Sequence, residues 1–358
     1  MHSLSMKVRA LLFGIIFVSA AASSLGAQDG KSELRIKLNP TDGSQVSGAL
    51  VALLNSRDSV VAEGLASEQG TRVLFAARGA YRIRVRRVGY LPWVSSELTL
   101  PRSSELILNV ESPRVVLQSI VVNSTSQCSR NDPNAQALLT VWDEIDKALR
   151  SSQLTLDDLS GMGRAHQYRR ETTTDGKITA GDSSEFAIRD RRPFGAVDPL
   201  SLARDGYVIG DEDKGWVFYG PDETVLLSEA FGATHCFKLV RQLARPAQIG
   251  VAFEPIPGRK IADIAGVLWV DQRTSELREI NFRFVNAGAL SRYDAGGFTR
   301  FRRVRSGAWI VDEWKLSAPK LQIRETSTLS AMGVPGVKRV LVVVGRLDNG
   351  GGILGASK

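Results

Sequence analysis

A two-residue period governs long stretches of this chain. Leu34, Ile36 and Leu38 alternate with Arg35 and Lys37. Tyr81, Ile83 and Val85 alternate with Arg82, Arg84 and Arg86, and Ile280, Phe282 and Phe284 with Glu279, Asn281 and Arg283. Successive side chains of a strand point to opposite faces, so each run reads as a strand with one buried face. Turn residues separate the runs. In Asn39-Pro40-Thr41-Asp42-Gly43 the proline fixes φ and the glycine accepts positive φ. Such spacing predicts a mainly β chain: an N-terminal antiparallel β-sandwich, then a larger antiparallel β domain with one long helix.

The first domain is expected over residues 31–123. Val46 to Leu54 reads as another strand, containing small residues, and Gly70 and Gly79 bracket a strand at Thr71–Ala76. Two features then carry a resemblance. Gly79-Ala80-Tyr81-Arg82-Ile83-Arg84-Val85 is followed by Val88-Gly89-Tyr90-Leu91-Pro92. Together they resemble the carboxypeptidase regulatory-like domain, a transthyretin-like sandwich. Leu106–Val110 and Leu117–Val122 resemble the final strands of such domains in envelope proteins. The resemblance implies a fold and an envelope setting but no activity, because fold does not carry function. In carboxypeptidases this module is accessory. A zinc peptidase needs His-x-x-Glu and a distant His. Here His166 and His235 have Arg169 and Lys238 at the third following position, so zinc peptidase chemistry is not expected. The row Arg82, Arg84, Arg86 reads either as a polyanion contact or as a solvated face that discourages edge pairing.

Residues 1–27 read as a signal peptide. Lys7 and Arg9 precede the apolar run Ala10–Ala22, and small residues follow at Ser23 to Ala27. Their removal would take the formal charge from +8 to +6. Later segments are too short in apolar residues to span a bilayer as a helix. Export to the periplasm or outer-membrane surface of a Gram-negative bacterium is the expectation. A mild, dispersed positive charge points away from nucleic acid. Cys128 and Cys236 are the two cysteines. Export permits a disulfide between them, and two separate buried thiols are the alternative.

Residues 124–132 are polar and read as a linker. Asp132-Pro133 then begins a helix over 133–149, with Leu138, Val141, Trp142, Ile145, Ala148 and Leu149 on one face. Long hairpins follow to residue 346: one around Asp175-Gly176, one from Ile264 to Val285 turning at Gln272–Ser275, and one from Gly297 to Leu316. Arg189–Arg204 reads as an irregular loop and residues 347–358 as a glycine-rich flexible tail. The pattern Gly266-Val267-Leu268-Trp269-Val270-Asp271 with Thr274 and Leu277 resembles the curved half-barrel of periplasmic lipoprotein carriers. That would make the second domain a curved antiparallel sheet around its helix. His235-Cys236-Phe237, Gly250–Pro255 and Gly307–Trp314 resemble recurring phrases of a group of exported bacterial two-domain proteins.

The chain has no G-x-S-x-G elbow, phosphate loop, paired Cys-x-x-Cys or His-Glu-x-x-His. No catalytic, cofactor or metal site is expected from it. Asp211-Glu212-Asp213 lacks the further spaced oxygen ligands of a calcium loop. Glu254, Asp271, Asp312 and Glu313 are the carboxylates a hydrolase would draw on. Trp216, Trp269, Trp309 and Trp314 are candidate ligand contacts, or core residues. The leading expectation is a non-enzymatic exported envelope protein, its second domain binding a partner protein, glycan or lipid. The alternatives are a periplasmic carrier of an amphiphile and a carboxylate-based hydrolase.

Overall fold

The alternating runs at the start of the chain pair into two facing sheets. The computed structural model describes residues 31–122, 128, 132–159, 163–188, 194–195, 197–211, 215–329 and 335–354. The expected signal peptide and most of the expected linker lie outside them. The first unit comprises β1 (Ser32–Pro40), β2 (Leu50–Leu54), β3 (Val60–Leu65), β4 (Thr71–Ala76), β5 (Gly79–Arg86), β6 (Trp93–Val94), β7 (Leu98–Leu100) and β8 (Leu106–Val110). One sheet has the order β4-β1-β8 and the other β3-β2-β5-β6, with β7 joined to β5. Pairing is antiparallel except between β1 and β8, which run parallel with Leu38 opposite Leu108. Leu34, Ile36 and Leu38 meet Val51, Leu53, Ile83 and Val85 in one core, as the alternation requires.

Strand β2 is buried along its whole length. Val51 and Leu53 face the sandwich core, while Leu50 clusters with Leu65 and Ala308 against Leu154 on the other side. A continuous apolar run is what a strand covered on both faces needs. The outside of this sheet is therefore not solvent but the second unit.

The sandwich ends at Val110. The run Leu117–Val122, expected as a final strand, is not one. Leu117 is fully buried in the core of the second unit, and Val115, Ile120 and Val122 pack against that core. Those apolar residues dock the chain onto the next domain instead of pairing with the last one.

The second unit follows in chain order: α1 (Ala135–Leu159), β9 (Arg164–Thr173), β10 (Ile178–Ala187), α2 (Pro199–Asp205), β11 (Val208–Asp211), β12 (Gly215–Phe218), α3 (Glu223–Leu226), α4 (Glu229–Thr234), β13 (His235–Val240), β14 (Gln248–Pro255), β15 (Asp263–Asp271), β16 (Leu277–Val285), α5 (Ala289–Arg292), β17 (Gly296–Arg303), β18 (Trp309–Leu329) and β19 (Pro335–Leu354). Nine of these strands form one open sheet in the order β10-β9-β19-β18-β17-β16-β15-β14-β13, antiparallel at every pairing. The expected hairpins at Asp175-Gly176 and Gln272–Ser275 are present.

Helix α1 crosses this sheet, touching β13 to β16 and β18. At about 1.5 Å per residue its 25 residues are long enough to do so. Val141, Ile145, Ala148 and Leu149 are fully buried against the strands, which is the expected stripe. The helix also runs ten residues past its expected end at 149. Ser151, Ser152 and Thr155 made that stretch look polar, yet all three are buried. Thr155 Oγ1 donates to Ser151 O at 2.7 Å, and Ser152 Oγ to Glu223 Oε1 at 2.6 Å.

Two further expectations need correction. The end of the stretch read as an irregular loop is α2, started by Asp198, which accepts from the Ser201 N–H, with Pro199 in the first turn. The residues read as a flexible tail continue β19, which pairs with β9 and β18 as far as Leu354 and Gly351 respectively. A Cβ on Gly350 would lie 2.4 Å from the Tyr168 ring, on Gly351 2.3 Å from His166 O, and on Gly352 2.1 Å from Asp312 O. These glycines mark close approach of neighbouring strands rather than a loose end.

A candidate ligand pocket between the two domains

The flank of α1 that turns from the sheet is buried as well, and it is ionic. Glu144 and Lys147 are completely enclosed. Lys147 Nζ donates to Glu144 Oε1 at 2.7 Å and to Tyr90 O at 2.8 Å, and lies 2.8 Å from Asp143 Oδ2. Glu144 Oε2 accepts the Gly89 N–H at 2.7 Å. Burial raises the Glu144 carboxyl above its ordinary pKa, against the pull of Lys147 and the Gly89 amide. Gly89 and Tyr90 belong to the turn after β5, so these bonds tie the sandwich to the helix.

The arginine row of β5 has divided roles. Arg82 pairs with Asp58 near the surface. Arg86 is buried, its Nη1 2.6 Å from Asp146 Oδ2 on α1 and its Nη2 3.7 Å from Glu63 Oε1. The row is thus divided: its outer end stays near the surface while its inner end, Arg86, clamps the helix. Close backbone contact completes the seam. A Cβ on Gly48 would meet Gly307 O at 2.2 Å, and one on Gly307 would meet Ser47 O at 2.1 Å; both residues have positive φ. Only glycine fits where two turns touch at this distance.

Beside this contact lies a cavity of about 550 Å³, lined from both domains. The sandwich contributes Asp42, Ser44, Gln45, Ser47, Arg87 and Tyr90. Arg114 comes from the connecting segment, Lys147 and Ser151 from α1, and Arg303 and Trp309 from the β17–β18 hairpin. Its volume lies in the range of small-molecule sites, roughly 300–1,000 Å³. Lys147 and Arg86 are neutralised by carboxylates, as above. Arg87 is not. It is 6 % exposed, donates from Nη1 to Ser44 Oγ and to Gln45 O, and has no hydrogen-bond partner at Nε or Nη2. Its Cζ sits 4.0 Å from the Tyr90 ring centroid, and Arg114 approaches the same ring at 5.4 Å.

The residues singled out from sequence lie elsewhere, with one exception. Trp269, Trp309 and Trp314 are buried in the second core, and Trp216 packs against it; Trp309 also walls the cavity. The space between α1 and the sheet is filled by that core, including Phe253, Phe284 and Leu268. Glu254 lies 3.5 Å from Lys238, while Asp312 and Glu313 pair with Arg302 and Arg300 at 2.8 and 2.7 Å. Asp271 accepts the Arg273 and Thr274 N–H groups at 2.9 Å. Each of these carboxylates answers a local cation or amide. Asp211 ends β11, and Glu212 and Asp213 lie outside the described residues. Cys128 and Cys236 form a disulfide with a Cα–Cα distance of 5.1 Å, linking the approach to α1 with β13. His235, beside it, is buried 3.2 Å from Asp263 Oδ1 and stacked on Phe231. Among the described residues no group of three His, Cys, Asp or Glu side chains could hold a metal, and no helix is long and apolar enough to cross a membrane.

Sequence reasoning missed the pocket. Its one visible trace was the Arg86-Arg87 pair leaving β5 beside the apolar run of β2.

Comparison with protein families matches residues 29–90 to a family described as "Protein of unknown function (DUF1416)". The matched segment covers the sandwich from β1 to Tyr90. No curated protein matches the chain. Among solved structures, BcpA, the major pilin subunit of Bacillus cereus, aligns with 8% identity over 88% of this chain and 95% of that one, at a TM-score of 0.20. A superposition that loose carries no argument about fold or function.

Proposed function

We propose that this chain is a non-enzymatic binding protein of the bacterial envelope, and that its ligand enters the pocket between the sandwich and α1. The observation that carries this reading is the construction of the pocket. Both domains supply its walls, and buried ion pairs hold those walls in place. A preformed concave site with a few fixed polar groups is the usual form of a small-ligand receptor. Its lining is polar, with serine hydroxyls and guanidinium groups, which suits a glycan or lipid headgroup better than an acyl chain. The filled interior of the second domain supports the same preference. Placement in the envelope rests on the signal-like residues 1–27 and is consistent with the disulfide.

Native mass spectrometry tests this directly. The intact chain is mixed with an extract of envelope glycans and lipid headgroups. A discrete adduct is expected, reduced about tenfold or more in Gln45→Trp, which fills the exposed rim. An adduct that the variant leaves unchanged, or none on the wild type, would overturn the reading.

A further inference from the structure

We infer that the outer part of the β18–β19 hairpin is a membrane-docking ribbon, which lies on an anionic bilayer surface through an apolar face accompanied by unpaired cations. This surface shares no residue with the lining of the pocket, so it stands independently of the binding role proposed above.

Both strands outrun their neighbours. β17 leaves β18 at Ser317, and β9 meets β19 only from Gly345 onward. From Leu321 to Leu329 and from Pro335 to Val344 the two strands pair with each other and with no other described strand. At about 3.4 Å per residue this ribbon is roughly 30 Å long. A two-stranded hairpin is marginally stable in water by itself and gains when an apolar face is covered.

The register sorts its side chains. Opposed residues of an antiparallel pair share a face, and successive residues alternate. One face holds Ile323 opposite Leu341, with Val337 farther out. Ile323 is 37 % exposed and Val337 68 %. On the same face Arg339 and Glu325 stand opposite each other and pair at 3.2 Å. The other face holds Arg324 and Lys338, both exposed. Glu325 is the one acid in the two paired segments. Among the described residues no carboxylate stands within ion-pair distance of Arg324 or Lys338.

Area and charge choose the occupant. A ribbon two strands wide offers roughly 300 Å² per face, well below the ~800 Å² per partner of a stable protein interface. Two copies laid together would also oppose like charges, since Arg324, Lys338 and Arg339 meet only Glu325 as counter-charge. A bilayer needs neither a large matched area nor a concave partner. Its headgroup boundary takes exposed aliphatic side chains, and its phosphates take the cations. Both edges of the ribbon are open, so the long stems of Arg324 and Lys338 have room to reach headgroups beside the apolar face. The unpaired backbone groups along those edges confine the ribbon to the wet interface and keep it out of the hydrocarbon core.

Vesicle flotation tests the assignment. The protein used lacks residues 1–27, which precede every described element and whose apolar run would bind lipid by itself. The probes are vesicles of phosphatidylcholine alone and of phosphatidylcholine mixed with phosphatidylglycerol. Binding to the anionic vesicles is expected, about tenfold or more above the neutral ones and falling as salt is raised. Ile323→Asp and the double variant Arg324→Glu/Lys338→Glu are each expected to weaken it about tenfold or more. These side chains are exposed, and an unchanged melting temperature would show that the variants fold. No binding to either vesicle, equal binding to both, or binding that either ribbon variant leaves unchanged would overturn the assignment. A dimer in light scattering that Ile323→Asp dissociates, with silent vesicles, would overturn it in favour of a second copy of the chain.

Discussion

Lys147 carries an ammonium group with no exposed surface, and its surroundings explain why that is tolerated. Glu144, Asp143 and the Tyr90 carbonyl supply acceptors from three directions. Removing one partner of such a buried pair strands the other. Lys147→Met is therefore expected to cost about 3–5 kcal/mol, and the double variant Glu144→Gln/Lys147→Met less than the sum of the two single changes. Urea denaturation of the four proteins measures both statements. Asp263 gives a pH dependence. It is fully buried between His235 and Arg259. Burial alone would raise its pKa, but hydrogen bonds from His235 and Arg259 outweigh this and hold it below the ordinary 3.8. A folded-state pKa below the unfolded one adds stability that is present above about pH 4 and lost as pH falls through the folded value. Asp263→Asn should accordingly lower stability at neutral pH and flatten the fall in acid. A variant that melts at neutral pH like the wild type would contradict this. Neither cluster could be read from the sequence. Lys147 sits three residues from Glu144 on what looks like the solvent face of an amphipathic helix, and Asp263 stands four residues after Arg259 at the start of β15. Only the docking of the sandwich on α1, and the approach of His235 and Arg259 to Asp263, convert those charges into buried ones.

At the scale of elements, helix α1 is the part most altered by seeing the fold. Its apolar stripe was legible because side chains three and four residues apart share a face. Its other flank was not, because a buried ionic face and a solvated one have the same composition. The apolar run of β2 was legible as a strand, while its cover on both faces emerges only from the fold. The cap Asp198-Pro199 of α2 repeats the Asp132-Pro133 signal that marked α1, so that helix was within reach of sequence reasoning. The strand role of Gly350 to Gly352 was not, since it depends on where Tyr168, His166 and Asp312 lie. The turns that meet at Gly48 and Gly307 belong to different domains, and a methyl group at either would part them. Gly307→Ala is expected to destabilise the protein by about 1–3 kcal/mol from backbone strain alone. Thermal melting checks the loss. Hydrogen exchange in β2 should rise with it if the seam opens as described.

The whole molecule is two β bodies joined through one helix and through direct contact of their turns. The alternating pattern marked strands in the sheets of both bodies, because each has a sheet with one face turned to a core. It did not disclose their joint, since residues that meet there are far apart in sequence: Arg86 with Asp146, Gly89 with Glu144, Gly48 with Gly307. The pocket is a property of that joint. This is why the tryptophans singled out along the chain lie in or against the second core, Trp309 also reaching the cavity, and why the acidic residues singled out with them meet local cations and amides. Hydrogen–deuterium exchange on the intact chain, with and without the envelope extract used for native mass spectrometry, tests the joint pocket most directly. Residues 42–50, 86–91 and 303–309 come from both sides of the seam, and all three segments are expected to exchange more slowly together when ligand is bound. Protection confined to one domain, or none at any of the three, would contradict it.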